Sequence, residues 1–119
     1  MGFAENFEDL QIWQRSRVLT NEIYDALSKC RDLDFRSQIE RASVSVINNI
    51  AEGFERRTKK DFAHFLDLSK GSSGEVRSML YLAEDRRYVD KSFAERLRVD
   101  YKDLSKSIGA LASKLRSQN

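Results

Sequence analysis

At 119 residues, 40% hydrophobic and 34% charged, the chain has the length of one domain, is too apolar for disorder, and can hide about two-thirds of its unfolded surface in a core. No apolar run approaches the ~20 residues of a membrane span, the opening MGFAENFEDL has neither the basic flank nor the apolar centre of a signal peptide, and Asn6 breaks the myristoylation pattern, so a cytoplasmic location is expected. A lone Cys30 excludes an internal disulfide and a multi-cysteine metal site, and a net charge of +2 permits a polyanionic partner without requiring one.

With no proline and five glycines, the apolar spacing follows a helical period almost throughout, and no stretch alternates with the period of two that marks a strand. The expectation is an all-α protein, an antiparallel up-and-down four-helix bundle occupying 1–119 as one domain. Its helices fall at about 8–30, 34–55, 59–85 and 90–116. The first has Asn6 available as a cap, with Glu8 and Asp9 in its positive first turn. It carries two apolar stripes, Leu10, Trp13, Tyr24 and Leu27 against Ile12, Leu19, Ile23 and Ala26, centred roughly 110° apart. A four-helix bundle needs one seam per helix, so the second stripe predicts contact between subunits through Ile12, Leu19 and Ile23.

Arg31 to Asp34 reads as a short connection, with Asp34 the candidate cap of the second helix. That helix, QIERASVSVINNIAEGF over 38–54, is apolar on a broad face and carries a polar row of Arg41, Ser45, Asn48 and Glu52, with Asn49 at its edge. The row is either a solvated face or a buried or interfacial polar network; patterning does not separate the two. The segment 55–61 is a charged turn containing Arg56, Arg57, Lys59 and Lys60, with Thr58 and Asp61 at capping spacing for the third helix. Within that helix, Gly71-Ser72-Ser73-Gly74 could form a loop, since an interior glycine costs about 1 kcal/mol relative to alanine. The apolar phase nevertheless runs unbroken from Phe62 and Phe65 to Val76 and Leu80, which predicts one continuous helix. A second row, His64, Leu68, Gly71 and Glu75, makes Glu75 a candidate partner for Arg41. Arg86 and Arg87 stand in the last turn, Asp90 or Ser92 can cap the fourth helix, and the apolar stripe of that helix is narrow.

The catalytic chemistries find no support in these residues. Nucleophilic catalysis needs a base beside the nucleophile, and the only histidine is His64, better read as a helix-surface or interface residue. GSSGE lacks the lysine and glycine spacing of a phosphate loop, and the Glu-x-x-His pairs of a bundle metal site are missing. The expectation is a non-enzyme without cofactor or metal.

The run QIERASVSVINNIAEG, with FEDLQIWQRS upstream and FLDLSKGSSGEVRSMLYLAE downstream, closely resembles the four-helix-bundle proteins encoded in intervening sequences of 23S ribosomal RNA genes. Those proteins usually place a proline where this chain has Ile47, and often one between the first two helices, where this chain has none. The resemblance implies the bundle fold. Through relatives that act as accessory proteins of diversity-generating retroelements and look like five-subunit barrels, it also implies a homopentamer that binds RNA or DNA. The basic residues available for such binding are Arg56, Arg57, Lys59, Lys60, Arg86 and Arg87. The alternative is a self-assembling adaptor that recruits another protein and for which the basic turns are incidental.

Overall fold

A computed structural model of the chain describes residues 4–118; the first three residues, on which the leader expectation partly rests, lie outside them. A 3-10 turn at Phe7–Asp9 precedes four helices: α1 Gln11–Ala26, α2 Leu33–Phe54, α3 Lys59–Asp85 and α4 Lys91–Ser117. Among the described residues there is no strand. Helices adjacent in sequence are adjacent in space, α4 returns beside α1, and the diagonal pairs have no close backbone approach. The result is an antiparallel up-and-down four-helix bundle 46 Å long and 19 Å across. None of its helices is long and apolar enough to cross a membrane.

The first helix is shorter than its apolar pattern suggests. Asn6 N donates to Asp9 Oδ2 at 3.2 Å and Asp9 N to Asn6 O at 3.1 Å, which closes a separate turn, and Leu10 is extended with ψ of 127°. At the other end the chain leaves the helix after Ala26 through two turn bonds, Ser28 N to Asp25 O and Cys30 N to Leu27 O. Ile12, Leu19 and Ile23, expected between subunits, are at most 7% exposed and belong to the core of their own chain. The physical reason is that a helix at the corner of a square bundle faces two neighbours, so this stripe is used internally, as are Leu10 and Leu27 of the other, whose Tyr24 stays 39% exposed.

The caps follow local chemistry. Thr58 Oγ1 accepts from Asp61 N at 3.1 Å and starts α3 as expected. For α2 the cap is Asp32, whose Oδ1 accepts from Phe35 N at 3.2 Å, while Asp34 lies exposed in the first turn. α3 is continuous through Gly71–Gly74. Its serines explain the run: Ser72 Oγ bonds Ser45 Oγ on α2 at 2.7 Å, and Ser73 Oγ bonds Ser105 Oγ on α4 at 2.7 Å. Ser69 Oγ donates to Val46 O at 2.7 Å. Small hydroxyls thus bring α3 close to both neighbours while meeting their own hydrogen-bonding need.

Gly53 sits where α2 turns into α3, and a Cβ there would lie 2.8 Å from Phe65 Cβ and 2.9 Å from Phe62 Cδ1. Gly74 has nothing within 4 Å of the same position. Overpacking costs about 1–3 kcal/mol, whereas an alanine in an open helix interior gains up to about 1 kcal/mol. Gly53→Ala should therefore lower the unfolding free energy and Gly74→Ala raise it, a difference of sign that urea titration of the two variants reads directly.

Candidate functional site

The tight entry into α3 holds the basic turn at one end of the bundle. Arg56 is committed: its Nη2 lies 3.2 Å from Glu52 Oε1, and its guanidinium is 4.6 Å from the centre of the Phe65 ring. Arg57 and Lys60 are exposed, Lys59 is half-buried, and no acidic side chain among the described residues pairs with any of the three. Lys59 and Lys60 occupy the first two positions of α3, where the helix dipole already places partial positive charge. They add to that potential, and Asp61 in the same turn offsets part of it.

Arg86 and Arg87 lie at the opposite end of the 46 Å bundle, so the two basic clusters do not form one surface. Arg86 Nε donates to Tyr88 Oη at 3.0 Å, and Tyr88 Oη donates to Asp32 Oδ2 at 2.6 Å, a chain that ties the α3–α4 turn to the cap of α2. Arg87 takes the left-handed conformation, φ 61°. There Arg87 N reaches Glu84 O at 3.0 Å and Tyr88 N reaches Ala83 O at 2.9 Å, a helix closure in which glycine is the usual residue.

The polar row of α2 is open to solvent within a single chain. Arg41, Asn48 and Glu52 are exposed, Ser45 is half-buried and accepts from Asn49 Nδ2 at 3.0 Å, and Glu52 is paired with Arg56. Arg41 and the exposed Glu75 line one groove between α2 and α3, together with Ser45, Ser72 and Met79, and no ion pair joins them. The intrachain network of Arg41, Asn48, Glu52 and Glu75 is therefore not formed. His64 is exposed, with its ring 5.6 Å from that of Phe65. Among the described residues no group of three His, Cys, Asp or Glu side chains is placed to hold a metal ion.

The most extended basic feature follows the outer edge between α3 and α4. Cross-links set the register: Arg116 pairs with Asp67, Ser73 with Ser105, and Arg98 Nη2 lies 3.0 Å from Glu84 Oε1. Between the first two, the stem and ammonium of Lys70 lie over Gly109. Arg77 shares the edge of Lys70 and Tyr81 by helical spacing, and the register puts it level with Lys102. Lys70, Arg77 and Lys102 have no acidic partner among the described residues. Lys59 begins the same line, and Gly74 leaves the backbone bare midway along it. Residues that are scattered in sequence, 59, 70, 77 and 102, thus form one edge.

Architecture and charge together define an all-α up-and-down bundle with one basic edge. The chain belongs to a family described as 23S rRNA-intervening sequence protein, which matches residues 8–110. Among solved structures, a protein of unknown function from the S23 ribosomal protein family of Bacteroides thetaiotaomicron has the same fold, with a TM-score of 0.79 at 20% identity. The match covers 85% of this chain and 97% of that one. No curated protein matches the sequence.

The Tyr88 hydroxyl, followed by the Phe35 amide, holds the Asp32 carboxyl below its ordinary pKa. A depressed folded-state pKa stabilises the fold above the unfolded value of about 3.9 and ceases to do so as pH falls through the folded value. Tyr88→Phe should lower the urea midpoint at neutral pH, and its deficit against the parent should shrink below about pH 4. A deficit that stays constant through that range would show that the Tyr88–Asp32 bond does not carry the effect.

Proposed function

We propose that this protein is a non-catalytic accessory protein that assembles with itself and binds the phosphate backbone of RNA or DNA. The carrying observation is the line of cations without acidic partners, from Lys59 along the α3–α4 edge through Lys70 to Arg77 and Lys102. Phosphate contacts position a nucleic acid without reading its sequence, and their strength comes from counterions released at each cation. A bare glycine between the cations lets a phosphate approach the helix closely. The same reading is what the family's resemblance to retroelement accessory proteins implies, and it goes with a cytoplasmic location as part of the proposal.

Self-assembly is supported on the other side of α3. Gly71 costs about 1 kcal/mol in a helix interior, yet no neighbouring element among the described residues comes within 4 Å of its missing Cβ. Leu68 and Leu82 flank it on the same face at 45% and 49% exposure, and Arg41 and Glu75 stand unpaired across the adjoining groove. A helix from a second copy would use all of these, and the resemblance implies a closed ring of five. The α3–α4 edge stays open in such an assembly because it lies on the far side of α3.

Replacing Lys70, Arg77 and Lys102 together by Gln should weaken binding of mixed-sequence RNA and DNA alike. It should also reduce the slope of log affinity against log salt by about 2–3. Arg86→Gln with Arg87→Gln, at the other end, should leave the slope unchanged. Absence of binding at low salt would return the adaptor reading, and light scattering showing a stable species of monomer mass would defeat the assembly.

A further inference from the structure

The basic edge ends on an aromatic ring that the bundle leaves uncovered. Tyr81, on α3, is 58% exposed, and no hydrogen bond among the described residues engages its hydroxyl. The Arg98 guanidinium lies 4.0 Å from the ring centroid. Arg98 is itself only 13% exposed and is held by charge contact with Glu84, so it backs the ring as a fixed cation. Among the other aromatics, Phe62 and Tyr101 are fully buried, Phe35 packs edge-on against Tyr88, and Tyr24, 39% exposed, lies on α1 away from this edge.

An exposed ring beside a phosphate track has a use that cations alone do not supply. Nucleic-acid bases stack on aromatic faces when they are unpaired, whereas in a duplex those faces are hidden against neighbouring bases. Arg77 stands one helical turn, about 6 Å, from Tyr81 on the same edge. A strand whose phosphate sits between Arg77 and Lys102 therefore has an adjacent base within reach of the ring. Electrostatics alone favours the opposite partner, because duplex carries the higher charge density.

We propose that Tyr81, backed by Arg98, is a base-stacking platform that makes the α3–α4 edge select single-stranded over duplex nucleic acid. This rests on the phosphate-binding reading of the same edge.

The test is fluorescence anisotropy with one fluorescein-labelled mixed-sequence oligonucleotide, free or annealed to its complement, at matched salt. The full chain should bind the single strand on the order of tenfold more tightly than the duplex. Tyr81→Ala should abolish that preference while leaving duplex affinity and the salt slope in place, and Tyr81→Phe should retain it. Equal affinity for the two forms, or a preference that survives Tyr81→Ala, overturns the stacking role while salt-dependent binding leaves the phosphate reading standing. Failure of both probes to bind at low salt overturns both. Thermal midpoint and light-scattering mass are measured on the same samples. A Tyr81→Ala protein of altered mass would put the ring between subunits and overturn the platform.

Discussion

Two 27-residue helices, α3 and α4, lie close enough for Ser73 and Ser105 to share a 2.7 Å hydrogen bond inside the core. A buried hydroxyl without a partner costs about 1–3 kcal/mol, so this contact specifies which levels of the two helices face each other. A slip breaks this bond and the one from Ser73 Oγ to Tyr101 O at 3.2 Å. Larger residues at either position would push the helices apart, and the contact is fully buried at Ser73 and nearly so at Ser105. From that register follow the pairing of Asp67 with Arg116, the stacking of Arg98 on Tyr81, and the alignment of Arg77 with Lys102. The bundle's charge pattern is a consequence of its packing.

That pattern explains how a chain of net charge +2 can offer a basic surface. Many of its arginines are neutralised in place: Arg36 by Glu40, Arg56 by Glu52, Arg96 by Glu22 and Asp100, Arg98 by Glu84, Arg116 by Asp67. Exposed pairs of this kind add little to stability. Their effect on the surface is larger, because the cations left uncompensated include a row along one edge of α3 and α4. Net charge averages over both populations and hides that row.

The helices were legible in the sequence because apolar spacing is a local property. α3 runs over the expected 59–85, Thr58 caps it, and the glycine-serine run interrupts neither its phase nor its backbone. α1 misled for a reason equally physical: two stripes on one helix signal two neighbours, and both neighbours of α1 lie within the chain. The cap of α2 was misplaced by two residues because Asp32 and Asp34 are equally good acceptors in isolation. What selects Asp32 is the Tyr88 hydroxyl, 56 residues away in the chain. The basic turn at Arg56 to Lys60 was visible because its members are contiguous. The edge formed by Lys70, Arg77, Tyr81, Arg98 and Lys102 was not, since only the antiparallel register brings it together. Helical spacing within α3 and α4 hints at each half and cannot join them.

The most direct test of a phosphate-binding α3–α4 edge is lysine acetylation footprinting of the native protein, with and without mixed-sequence nucleic acid at low salt. Lys59, Lys60, Lys70 and Lys102 should lose reactivity on binding, while Lys29 and Lys91, exposed at the opposite end, keep theirs. Protection confined to Lys29 and Lys91, or spread evenly over all six, would contradict the account.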